Sequence, residues 1–212
     1  MDGVLVDTEP IYIEINRNIF KRFGVELPKK YIHKYVGIAA EQMWDELRVE
    51  FELELTTEEL IRLEGKMKLS AIQSGTLESI SGIEELLRQS RSSDLSCAIA
   101  SSSSRELISL VLDKTDLIEY FAAVVSGEDV LSGKPAPDIF LLAAEKLKTN
   151  PGSCLVIEDS TAGIRGAKTA GMATCGFLNP NSGDQDLKNA DILIDDFGEI
   201  CRAQILGKHR LR

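Results

Sequence analysis

The sequence predicts an α/β fold: a doubly wound parallel sheet, interrupted near its start by an all-helical block. Three observations predict it. Between residues 11 and 75 the apolar positions recur at helical spacing and nothing reads as a strand. After Gly75 short apolar runs alternate with amphipathic stretches, the pattern of a parallel sheet with helices on both faces. At 212 residues and 43% hydrophobic content, the chain can bury a core and still carry an insertion.

Taken in order, MDGVLVDTEP opens the chain, and its Asp2-Gly3 reads as a strand end turning into a loop that holds Asp7 and Thr8. Ile11, Ile15, Ile19, Phe20 and Phe23 then mark a helix face that Gly24 ends. Tyr31, Tyr35, Met43, Trp44 and Leu47 suggest further helices broken near Gly37. Thr56-Thr57-Glu58-Glu59 has the hydroxyl and early acids of a helix start, and a helical pattern follows over 60–72. Beyond Gly75 the predicted strands are 95–100, 122–125, 154–157, 173–177 and 192–194. The predicted helices between them are 83–89, 105–112, 137–147 and 162–170. The sequence thus divides into a core of 1–10 and 76–212 and a helical domain of 11–75.

The formal charge of −10 argues against nucleic acid or anionic membrane as a partner, because phosphate backbones select basic surfaces. A small phosphorylated ligand is still compatible if a metal and one or two cations offset the charge locally. Cys97, Cys154, Cys175 and Cys201 lie far apart, without a Cys-x-x-Cys pair, and are expected to be buried thiols. Neither histidine, His33 or His209, sits in a motif. There is no signal peptide and no run of about 18 apolar residues, so a soluble cytoplasmic protein is expected.

Four segments fall at the carboxyl ends of strands, where parallel sheets place their ligands. Asp2-Gly3 is the first, although such a dipeptide alone is an ordinary turn. Ser101 to Ser104 is the second. Hydroxyls and N–H groups at a helix start can cradle phosphate, and they can equally be a serine-rich N-cap. Gly133-Lys134-Pro135 is the third, and a lone lysine is normally solvated. Glu158-Asp159 is the fourth. Adjacent carboxylates about 4 Å apart repel by roughly 4 kcal/mol at an effective dielectric of about 20, which a hard cation such as magnesium relieves. The alternative is a helix capped by Asp159 or Ser160.

In this order and spacing, MDGVLVDTEP, the serine loop, SGKPAPDIF and EDSTAGIRGA together resemble the haloacid dehalogenase-like hydrolase superfamily, in its beta-phosphoglucomutase-like subgroup. The resemblance covers nearly the whole chain. A bacterial receiver domain also combines acids, a hydroxyl and Lys-Pro, but there the lysine comes last. The resemblance implies a Rossmann-like core, with block 11–75 as a cap that covers the site. It implies Asp2 as general acid and base, Ser101 and Lys134 as phosphate-binding groups, and Ser102, Ser103 and Gly37 beside the substrate. It implies Mg2+ held by the Asp2 carbonyl, Asp159 and, through water, Glu158.

The family's first motif is Asp-x-Asp-Gly, and its first aspartate, the covalent nucleophile, would fall one residue ahead of Met1. Met1 is therefore expected to be an internal methionine of a longer natural chain. The strand that precedes the motif is central in the family. Without it a chain should fold poorly, because buried backbone groups left without partners cost about 1–3 kcal/mol each. Mutases of the subgroup keep a histidine soon after the first motif and an arginine in a cap loop Gly-x-x-Arg. Here Tyr12 and Ala40 stand at those positions. A phosphatase of small phosphate monoesters is expected over a phosphomutase or a non-catalytic phosphate binder, acting as a monomer or weak dimer.

Overall fold

The computed structural model describes residues 1–201. Four helices come first: α1 (Glu9–Arg22), α2 (Lys29–His33), α3 (Ala40–Glu50) and α4 (Thr57–Ser74). Helices and strands then alternate through α5 (Ile83–Ser92), β1 (Cys97–Ser101), α6 (Arg105–Lys114) and β2 (Phe121–Ser126). They continue through α7 (Asp138–Lys146), β3 (Leu155–Glu158), α8 (Thr161–Thr169), β4 (Ala173–Phe177), β5 (Ile192–Ile194) and α9 (Gly198–Cys201). The predicted α/β class and the strand-free helical stretch are both present.

Local chemistry explains most boundaries. Pro10 occupies the first turn of α1, where its missing N–H is no loss, and Gly24 at φ 73° ends the helix region in a left-handed turn. The predicted start of α4 is a capping box. The Thr56 hydroxyl accepts from Glu59 N–H while the Glu59 carboxylate accepts from Thr56 N–H at 2.9 Å. One strand starts later than expected. Leu95 N–H closes the end of α5 on Ser90 O, after Asp94 turns at φ 58°, so Leu95 stays outside and β1 runs from Cys97 to Ser101.

All strand pairs are parallel, so Ser101 and Ser126 end β1 and β2 side by side, and Lys134 ties the end of β1 to Glu158 at the end of β3. Among the described residues the strands of this parallel core form two sheets, β1–β2 and β3–β4–β5. Met1 to Val6 runs between their carboxyl ends and turns instead of extending. Leu5 N–H donates to Met1 O at 2.7 Å and Gly3 N–H to Val6 O at 2.8 Å, so the segment makes only isolated bridges.

One apolar cluster joins Phe20, Trp44, Leu47 and Leu60 of the helical stretch to Ile108, Leu112 and Phe177 of the α/β part. A second, of Val125, Ile139, Phe140 and Ala167, seals α7 and α8 against the sheet. All three described cysteines are free thiols, as expected, but only Cys175 is buried, Cys97 and Cys154 being half-buried. The Cys201 side chain and His209 lie outside the described residues. No helix among the described residues is long and apolar enough to cross a membrane.

Candidate active site

Asp2, Gly37, Ser101, Ser102, Ser103, Lys134, Glu158 and Asp159 all line one cavity of about 470 Å³, between the strand ends and the helical stretch. The serine loop serves both readings the sequence allowed. Ser104 is the N-cap of α6, accepting from Leu107 N–H, and this leaves Ser101, Ser102 and Ser103 to face the cavity. Ser103 Oγ donates to Asp2 Oδ2 at 2.9 Å, and Ser101 Oγ lies 3.5 Å from the same oxygen. Thr8 Oγ1 donates to Asp2 Oδ1 at 2.7 Å and is thereby withdrawn from capping α1. Burial pushes the Asp2 carboxyl up. The Met1 ammonium and these hydroxyls outweigh it and hold the group below its ordinary value.

Lys134 is buried and crosses the gap between the two sheets. Its Nζ donates to Ala100 O at 3.1 Å, at the end of β1, and to Glu158 Oε1, at the end of β3. Burial alone pushes Glu158 up. The Lys134 ammonium and the Ser160 hydroxyl, 2.9 Å from Glu158 Oε2, reverse that and hold the carboxyl low. Ser160 in turn caps α8 by accepting from Gly163 N–H at 3.0 Å. Asp159 stands differently. Burial and the neighbouring Glu158 charge raise its carboxyl to about 7, although Ser182 Oγ donates to it.

Three glycines permit these approaches. A Cβ on Gly3 would overlap the Asp159 carboxylate, and one on Gly163 would overlap that of Glu158. A Cβ on Gly37, at φ 77°, would overlap Ser160 Oγ, and Ser102 Oγ lies 3.4 Å from Gly37 O. The loop before α3 therefore rests directly on both strand-end loops.

Glu9 and Asn16 of α1 and Glu64 and Lys68 of α4 escaped the sequence reading; with Tyr12, which the sequence set at the mutase histidine position, they form the cavity's other wall. Burial, with the charges of Asp159 and Asp2, raises the Glu9 carboxyl to about 8. Among the described residues no three His, Cys, Asp or Glu side chains form a group that could hold a metal by themselves. The Asp2 carboxylate turns instead to the serine loop.

The haloacid dehalogenase-like hydrolase family model matches residues 1–177. A phosphorylated carbohydrates phosphatase of Thermotoga maritima is 31% identical over 81% of this chain and 79% of its own. The beta-phosphoglucomutase of Bacillus subtilis is 28% identical over 92% of this chain and 86% of its own. The crystal structure of beta-phosphoglucomutase from Clostridium difficile superposes with a TM-score of 0.85 at 26% identity, over 99% of this chain and 94% of that one. With the four motifs gathered on one cavity and the family model spanning them, the chain belongs to the haloacid dehalogenase-like hydrolase family, in its beta-phosphoglucomutase-like group.

Proposed function

We propose that the protein is a magnesium-dependent phosphatase acting on small phosphate monoesters, sugar phosphates above all. The observation that carries this reading is the convergence of Ser101, Lys134, Asp2 and the Glu158–Asp159 pair on one cavity. Phosphatases and phosphomutases among the relatives support it. Ser101, Ser102, Ser103 and Lys134 bind the phosphoryl oxygens, so that charge developing there meets fixed donors in a water-poor site. Asp2, oriented by Thr8 and Ser103, protonates the leaving alcohol and afterwards takes a proton from the attacking water.

The donor set fits a hard divalent cation. Glu158 and Asp159 bring carboxylates, and Asp2 a backbone carbonyl, to a wall where Lys134, already paired with Glu158, is the nearby side-chain cation. Asp159, the Asp2 carbonyl and Glu158 through water would hold Mg2+, which keeps several waters and completes its shell with substrate phosphate. When bound, the ion neutralises phosphoryl charge. In the family's motif the covalent carboxylate stands two residues before the position of Asp2, and the aspartyl-phosphate route needs a chain that carries it. Residues 11–75 act as the cap that selects substrate and excludes water, the remainder being the catalytic core. The protein works as a cytoplasmic monomer or weak dimer.

Phosphate release from a panel of sugar phosphates and an aryl phosphate, with Mg2+, tests the reading on this chain and on one extended upstream through an aspartate. Hydrolysis by the extended chain is the expected result. A folded extended chain that is inactive across the panel overturns it. Interconversion of sugar phosphates without phosphate release would establish a mutase, which Tyr12 and Ala40 disfavour.

A further inference from the structure

The wall of the cavity opposite the serine loop carries a charged pair where the phosphatase reading needs none. Glu64 on α4 is 2% exposed. It lies 2.8 Å from Lys68 Nζ, and its Oε2 accepts from Trp44 Nε1 at 2.9 Å. Trp44 is itself fully buried, so the carboxylate is held from behind by a rigid donor. Lys68 Nζ sits 4.4 Å above the Tyr12 ring, which fixes the lysine over the cavity.

Among the described residues lining the cavity the basic side chains are Lys68 and Lys134, and each is paired with a buried glutamate. Lys134 faces the strand ends, so Lys68 is the cation of the far wall, and Glu64 cancels it there. Glu9, 8% exposed, adds a further carboxyl nearby. Two neutral groups of the same wall are buried: Asn16 Oδ1, which has no hydrogen-bond partner among the described residues, and Tyr12 OH, which lies beside Asp2. An arrangement of this kind offers hydrogen bonds and no net positive charge.

We propose that Glu64 is a specificity-determining residue. By pairing with Lys68 it withholds the charge a second phosphate would need, so the cavity takes monophosphates whose other end carries neutral hydroxyls. Bisphosphates are rejected because a dianion at this wall meets the Glu64 carboxylate and finds the one lysine there already engaged. Hydroxyls of the leaving group satisfy Asn16 Oδ1, and an analogue lacking them leaves this buried group without a partner. This rests on the phosphatase reading for the placement of the first phosphate at the serine loop.

The test is calorimetric binding, in EDTA to prevent turnover, of fructose 1-phosphate and fructose 1,6-bisphosphate to the full chain. The wild type is expected to prefer the monophosphate by about tenfold or more. Glu64→Gln keeps an acceptor for Trp44 but frees the Lys68 charge, and is expected to narrow that preference by about tenfold. Lys68→Met is expected to preserve the preference or widen it. The proposal is overturned by equal wild-type affinities, by a Glu64→Gln ratio within about twofold of wild type, or by a narrowed ratio in Lys68→Met. Should Glu64→Gln not fold, the other two measurements decide. Aryl phosphate hydrolysis with Mg2+ by the upstream-extended chain separately judges the phosphatase reading, so the two ideas fail on different readouts.

Discussion

Gly3 lies against the carboxylate of Asp159, in a left-handed turn at φ 70°, with no room for a Cβ between them. The first strand-end loop and the fourth are thereby held face to face. Gly3→Ala meets both obstacles at once, a positive φ that costs about 1 kcal/mol and an overlap with a buried carboxylate. Urea denaturation is expected to register a loss of about 2 kcal/mol or more, and phosphate release should fall with it. Wild-type stability in this variant would mean that Asp159 moves freely.

Removing the ammonium of Lys134 strands Glu158. Their side chains are 5% and 8% exposed, so Lys134→Met leaves a buried carboxylate facing Ser160 alone. Breaking such a pair from one side costs about 3–5 kcal/mol. The wild type should lose stability as pH falls through the depressed Glu158 value, and Lys134→Met should lack that acid loss. Urea unfolding at several pH values between 3 and 7 reads both effects.

Glu9 predicts a pH effect of opposite sign. Its carboxyl is raised by burial and by Asp159 and Asp2 to about 8 in the folded chain. A raised folded value gives stability that is fully present below the unfolded value and is lost as pH rises through about 8. Glu9→Gln carries no such titration. Its stability relative to wild type should therefore improve between pH 6 and pH 9 by on the order of 2 kcal/mol. A constant difference across that range would show that Glu9 stays ionised throughout.

Magnesium should stabilise the folded chain even where no turnover occurs. At about 100 times its dissociation constant a ligand that binds only the folded state adds about 2.7 kcal/mol. A rise in thermal midpoint with Mg2+ is expected for the wild type and should be abolished in Asp159→Asn. An equal rise in both would place the ion elsewhere.

Much of the strand-end wall was legible in the sequence. Asp2, Ser101, Lys134 and Glu158 stand next to short apolar runs, and a polar residue at the end of a buried strand has few structural excuses. The opposite wall was not. Glu64 and Lys68 are four apart on a helix, the spacing of an ordinary solvated ion pair. A signal did exist: Glu64 falls on the stripe of Leu60 and Ile72, which the structure buries, and Trp44 needs an acceptor for its indole N–H. Ser182 was hidden because it reaches the Asp159 carboxylate only through the tertiary fold. The division of the sheet was hidden too, since the turn of residues 1–6 rests on backbone bonds that apolar patterning does not reveal.

The two walls of the cavity come from different kinds of element. Strand-end loops carry the serines, Lys134, Glu158 and Asp159, and the helices α1 and α4 carry Glu9, Tyr12, Asn16, Glu64 and Lys68. The helices reach the cavity through side chains alone, whereas the strand-end loops are locked by glycines that accept no side chain at all. Heritable change can therefore accumulate on one side of the cavity while the other stays constant. A lineage built on this architecture can alter what it consumes without having to reinvent how it reacts.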